Sequence, residues 1–156
     1  MPNISNLVKS IQDIMRKDAG TYGDAQRIEQ IIWALFLKVY DAKEEDWEMD
    51  EDDYHSIIPE PYRWKNWAHD DGTGTAYTGE ELLDFVNDLF TVLKNLSITP
   101  DMPKKKRIVK TMFEETNQYM KDGVLLRQVI NVIDEIDFDE YDDRHAFGEI
   151  YETILR

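Results

Sequence analysis

The stretch GDAQRIEQIIWALFLKVYDAKEEDWE, residues 23–48, decides the fold. Ile28, Ile31, Ile32, Leu35, Phe36 and Val39 recur at helical spacing and make one apolar stripe, which Trp33 and Tyr40 widen. Asp24 is placed to cap the start by accepting from the free amides of the first turn. Residues 24–40 therefore read as a central helix packed on more than one side. Between Asp41 and Asp53 the chain then carries nine acidic residues against one lysine. Like charges at that density disfavour a buried or regular structure, so this run is expected to be solvated.

Outward from this stretch, other segments repeat the helical period. Ile4, Leu7, Val8, Ile11, Ile14 and Met15 form a short first helix, interrupted at Asp18, Ala19 and Gly20. Thr78 and Glu81 have capping-box spacing, in front of Leu82, Leu83, Val86, Leu89, Phe90 and Leu93, and this helix should stop near Asn95 to Leu96. Pro103 suits a first helical position, with Ile108, Val109, Met112, Phe113 and Met120 carrying the next apolar face to Gly123. Val124 to Ile136 and Asp142 to Leu155 supply two more helices. Between the second and third helices, IIPEPYRWKNWAHDDGTGTAYTG sets prolines and glycines among four large aromatics, an irregular excursion whose tryptophans must bury. No strand alternation or internal repeat stands out. The expectation is an all-α bundle of about five or six helices forming one domain over residues 1–156.

Composition narrows the chemistry. With no cysteine the chain has no disulfide framework or thiolate site, and nothing points to an oxidising compartment. The amino terminus lacks the form of a secretory signal, and no run approaches the length of a membrane span, so a cytoplasmic protein without membrane contact is expected. Neither EEDWEMDEDD nor DEIDFDEYDD has the glycine and terminal glutamate of a calcium loop. His55, His69 and His145 are scattered, and the GTG at Gly72 to Gly74 reads as a turn, since it neither follows a strand nor opens a helix. No catalytic, cofactor-binding or metal-ligating residue is assigned.

A net charge of −15 repels nucleic acid at long range, so any contact with DNA has to be local. PKKKRIVK, residues 103–110, is the local exception. Lys104, Lys105, Lys106 and Arg107 sit at a helix start, where the helix dipole opposes each cation by about a few tenths of a kcal/mol, and Lys110 follows in the same run. One reading is a solvated end neutralised by the surplus carboxylates; the other is a phosphate-contacting patch, to which Arg63 and Lys65 are added as candidates. PKKKR also has the form of a nuclear import signal, but the adjoining periodicity folds it into a helix.

Five ordered strings carry a family resemblance: YGDAQRIEQIIWALFLKVYDAKEEDWE, IIPEPYRWKNWA, TGEELLDFVNDLFTVLKNL, YMKDGVLLRQVINVIDEIDF and DRHAFGEIYETIL. Together they resemble the amino-terminal helical domain of the modification (methyltransferase) subunit of type I restriction-modification systems, over nearly the whole chain. The resemblance implies a complex of two modification subunits and one specificity subunit, to which a restriction subunit is added, methylating the exocyclic amine of adenine with S-adenosylmethionine. It also implies that the helical domain helps to clamp double-stranded DNA and contacts its neighbours. None of the five prolines follows Asn or Asp, and no glycine loop has strand-to-helix context, so neither catalytic motif of that family is present. The chain is thus expected to be an isolated, catalytically inert fragment with no cofactor of its own, S-adenosylmethionine belonging to the parent subunit. The competing expectation is a pure protein-interaction module with an acidic docking surface and no direct DNA contact.

Overall fold

The computed structural model describes the backbone of residues 4–21 and 23–136, and the side chains of residues 9–21, 23 and 25–136. Within them the chain is helical, without a strand: α1 (Ile4–Met15), α2 (Gly23–Asp50), a single 3-10 turn (Glu60–Tyr62), α3 (Trp64–Trp67), α4 (Gly79–Lys94), α5 (Lys104–Glu114) and α6 (Gly123–Asp134). The expected all-α bundle is what forms. The helix expected over Asp142 to Leu155 and the cap expected from Asp24 fall outside the described residues and side chains. None of the described helices is long and apolar enough to cross a membrane.

α6 packs on α4 and α1, α5 on α4, and α2 lies against α1, α3 and α6. All six apolar positions of α4 named above are buried, as the period of 3.6 requires of a helix with one core-facing stripe. α2 is enclosed more completely. From Gln30 to Leu37 only Ile32 is not fully buried, whereas Ile28 and Val39, expected in the stripe, are half-covered. Trp33 meets Phe90 edge-on, and Phe113 bridges Phe36 and Phe90, so α2, α4 and α5 share one aromatic centre.

Several expected boundaries move. Thr78 precedes α4 but makes no side-chain cap bond, so the expected capping box does not form. Pro103 stands at the N-cap of α5, one residue before the helix. α5 ends at Glu114, short of the expected Met120 to Gly123. Its last turn closes with the Thr116 hydroxyl donating to the Met112 carbonyl at 2.7 Å. Met120 is nevertheless buried, because the following loop is drawn onto the end of α1. There the buried Asp18 carboxylate accepts from the amides of Gly20 (2.6 Å), Lys121 (3.0 Å) and Asp122 (2.8 Å). Those amides are satisfied by a carboxylate instead of by helix continuation. Asp122 in turn caps α6 by accepting from Val124 and Leu125.

The excursion is anchored, as its aromatics require: Ile58, Trp64, Trp67 and Ala68 are all buried. Asp134, at the end of α6, accepts from Trp64 Nε1 at 2.8 Å and Lys38 Nζ at 3.4 Å, and its other oxygen meets His69 Nδ1 at 2.9 Å. Two turns earlier on α6, Arg127 donates to the carbonyl oxygens of Ala68 and Tyr77. One face of α6 thus holds the excursion at both ends.

The largest correction concerns the acid run. α2 does not stop near Tyr40 but continues through Asp50, and Asp41 and Glu44 are buried. The physical reason lies in how a helix distributes side chains. Asp41, Glu44 and Glu48 share one face by their three- and four-residue spacing, and Arg63 is inserted against that face, while Glu45, Asp46, Asp50 and Lys43 point to water.

Candidate functional site

The cations of the basic run are brought together at the start of α5, facing the acidic end of α2. The Tyr40 hydroxyl donates to the Lys105 carbonyl at 2.8 Å and fixes the register between the two helices. Lys105 Nζ donates to Glu51 Oε2 at 3.1 Å and lies 4.6 Å from the centre of the Trp47 ring. Lys106 Nζ donates to the His55 carbonyl at 2.9 Å and lies 5.2 Å from the centre of the Tyr54 ring. Arg107 Nε reaches the Met102 carbonyl at 3.0 Å, and Lys110 Nζ the Leu96 carbonyl at 2.8 Å with Glu114 at 3.8 Å. Lys104 and Arg107 are exposed. Carboxylate, carbonyl and aromatic partners therefore offset the unfavourable end of the helix dipole, a compensation that could not be read from the local sequence.

The two remaining candidates are placed apart from this cluster. Lys65 is exposed on α3, and Arg63 is only 5% exposed. Its guanidinium meets Glu48 at 2.5 Å and Glu60 at 3.1 Å, with Glu44 at 3.7 Å and Asp41 at 4.0 Å. Burial alone would lower the Arg63 pKa, but its bonds to Glu48 and Glu60 and the Glu44 charge outweigh this and hold it above its ordinary value. With its hydrogen-bonding edge occupied by carboxylates, Arg63 is not presented to a phosphate. Tyr54 closes the cage by donating to Glu44 Oε2 at 2.7 Å. Beside it lies an open depression of about 320 Å³ walled by Glu48, Glu51, Asp52, Glu60 and Arg63 itself with Tyr54, His55 and Ser56, where four carboxylates outnumber the single guanidinium and would disfavour an anion. Sequence reasoning missed this cage. The available signal was the spacing of Asp41, Glu44 and Glu48, interleaved with Tyr40 and Trp47, opposite an arginine flanked by aromatics.

Burial pushes the Asp41 carboxyl up from 3.8 to about 6; Arg63 and Lys65 offset this in part, and Glu45 and Glu44 add to it. Between 3.8 and about 6 the folded chain binds more protons at Asp41 than the unfolded chain, so this group's contribution to stability falls as pH rises through that window. Above it the ionised, buried carboxylate costs on the order of 3 kcal/mol. Asp41→Asn is accordingly expected to be more stable than the parent near neutral pH, with the difference shrinking as pH falls towards 4. Urea unfolding at several pH values measures this, and a difference independent of pH would contradict the assignment.

Among the described residues no three His, Asp or Glu side chains gather in a way that could hold a metal ion. The GTG segment is a turn: Gly72 and Gly74 both have φ of +83, and the Asp70 and Asp71 carboxylates accept from the amides of Gly72 and Thr73. Acidic and exposed, it does not fit the phosphate-cradling or methyl-donor loop of a nucleotide fold.

Comparison with known proteins agrees with the helical architecture. A family model described as the HsdM N-terminal domain matches residues 4–133. The type I restriction enzyme EcoEI methylase subunit of Escherichia coli is 52% identical over 155 residues, which cover 99% of this chain and 31% of that protein. A crystal structure of a modification subunit of a proposed type I restriction enzyme from Vibrio vulnificus YJ016 superimposes with a TM-score of 0.83 at 32% identity, covering 97% of this chain and 34% of the other. A structure described in terms of complex assembly and conformational transition of the type I restriction-modification system gives a TM-score of 0.78 at 33% identity, covering 97% and 29%. The chain thus spans about a third of the length of the proteins it matches.

Proposed function

The chain belongs to the HsdM N-terminal domain family, the helical domain of type I modification subunits, and from that premise we propose that residues 1–156 form a non-catalytic module that helps to hold DNA and to assemble the methyltransferase complex. The observation that carries this reading is the match along almost the entire chain to a type I methylase subunit. In it, Lys104, Lys105, Lys106, Arg107 and Lys110 supply the DNA-facing charge, with Lys65 as an outlying contact. The specificity subunit and a second modification subunit are the protein neighbours, with a restriction subunit as a further one, in the cytoplasm. Methyl transfer from S-adenosylmethionine to the exocyclic amine of adenine falls to a separate domain of the parent subunit.

With −15 overall opposing a few cations, binding to DNA is expected to be weak and salt-sensitive. Titration with duplex DNA at low salt, repeated with Lys104, Lys105, Lys106 and Arg107 all changed to Ala, is expected to show about a ten-fold or greater loss of affinity. Equal binding by both proteins would remove the basic start of α5 from the reading.

A second reading, a protein-interaction module without DNA contact, is favoured by one specific feature: Lys105, Lys106, Arg107 and Lys110 all have partners within the chain. It predicts co-elution with a specificity subunit on a sizing column that survives the fourfold Ala substitution. Failure of the intact domain to co-elute would count against assembly in both readings.

A further inference from the structure

The turn that follows α2 is held in place by more than chain connectivity. Tyr54 donates to the buried Glu44, its ring lies 5.9 Å from Trp47, and Trp47 packs edge-on against Tyr40 at 5.5 Å. Tyr40 in turn is bonded to the Lys105 carbonyl. This aromatic seat presents the Glu51 carboxylate to Lys105 Nζ and the His55 carbonyl to Lys106 Nζ. Two of the four consecutive cations at the start of α5 are therefore occupied by acceptor oxygens from one short segment, in the positions a phosphate oxygen would take.

We infer that the segment Glu51–His55 is an intramolecular competitor that screens Lys105 and Lys106 until a polyanion displaces it. The inference rests on the reading that the start of α5 contacts DNA, and adds a gate to it. Lys104 and Arg107, both exposed, make the first contact. Lys105 and Lys106 follow only when Glu51 and the His55 carbonyl let go. Because the Lys105–Glu51 pair is partly exposed, it is weak and screened by salt, so a dense array of phosphates can exchange with it whereas an isolated phosphate competes poorly.

The test compares the intact chain with Glu51→Gln, and with Glu80→Gln as a control of equal charge at the far end of α4, using fluorescence anisotropy of a short duplex at low salt. Glu51→Gln is expected to bind about three- to five-fold more tightly, with Glu80→Gln close to the parent. In parallel, reductive methylation read by mass spectrometry is expected to modify Lys105 faster in Glu51→Gln than in the parent, with no DNA present. Equal affinity gains in the two Gln variants, or unchanged Lys105 reactivity, would overturn the screening contact. If Lys105 reactivity rises in Glu51→Gln but the fourfold Ala variant binds DNA as the parent does, the contact stands while the DNA reading and the gate built on it both fall.

Discussion

Arg63→Met is expected to lower the unfolding free energy by about 3–5 kcal/mol near neutral pH, because it removes the buried guanidinium that meets the acidic face of α2. Methionine fills much of the same volume, so the loss comes mainly from leaving the buried Asp41 and Glu44 carboxyls without the guanidinium that faces them. Glu44 has no exposed surface through which to recover its hydration, although Tyr54 still donates to it. As pH falls Asp41 takes up a proton, and the difference between variant and parent should narrow; urea unfolding across pH measures both effects. Adding Asp41→Asn and Glu44→Gln to Arg63→Met should restore much of the stability, since replacing a buried ionic group as a unit is far less damaging than removing one member. If the single substitution costs less than about 1 kcal/mol, the range for an exposed pair, the cage is solvated. The continuation of α2 beyond Tyr40 would then need another cause.

That continuation marks where the sequence was legible and where it was not. α4 could be read residue by residue, because its apolar positions are satisfied by whatever apolar surface meets them and periodicity alone identifies the buried face. In α6 only the span could be read, and its buried apolar residues Leu126, Val129, Ile130 and Ile133 fall at the same helical spacing. The acid run obeys a different rule: whether Asp41 is tolerated in the interior depends on one guanidinium that follows 22 residues later in the chain, across a turn and a proline-rich segment. A reading of local charge density treats the nine carboxylates as neighbours of one another, whereas the helix directs three of them to Arg63 and several others to water. Asp18 repeats the lesson, since its partners are the amides of Gly20 beside it and of Lys121 and Asp122, more than a hundred positions away. Of the candidate cations, those on α5 are contiguous and share one helix start, whereas Arg63 takes its partners from α2 and from Glu60, a setting that local sequence does not display.

Gly123→Ala is expected to destabilise the chain by about 3 kcal/mol, although at most sites within a helix the same change stabilises by up to about 1 kcal/mol. Gly123 is the first residue of α6, and a Cβ built on it would lie 1.8 Å from the Gly79 carbonyl oxygen, 2.3 Å from its carbon and 2.6 Å from its Cα. All three are backbone atoms, so no rotamer change relieves the clash and the starts of α4 and α6 must separate. Separation does not stay local: the residue before Gly123 caps α6 and donates its own amide to Asp18 at 2.8 Å, so the junction with α1 is loosened as well. Gly79→Ala separates this effect from the loss of a glycine as such. A Cβ at Gly79 meets nothing within 4 Å, and only its φ of +59 disfavours a side chain, by about 1–2 kcal/mol. Thermal or urea unfolding should therefore rank Gly123→Ala clearly below Gly79→Ala. A reversed or equal ranking would mean that the two helix starts do not touch, and that α1, α4 and α6 meet through side chains alone.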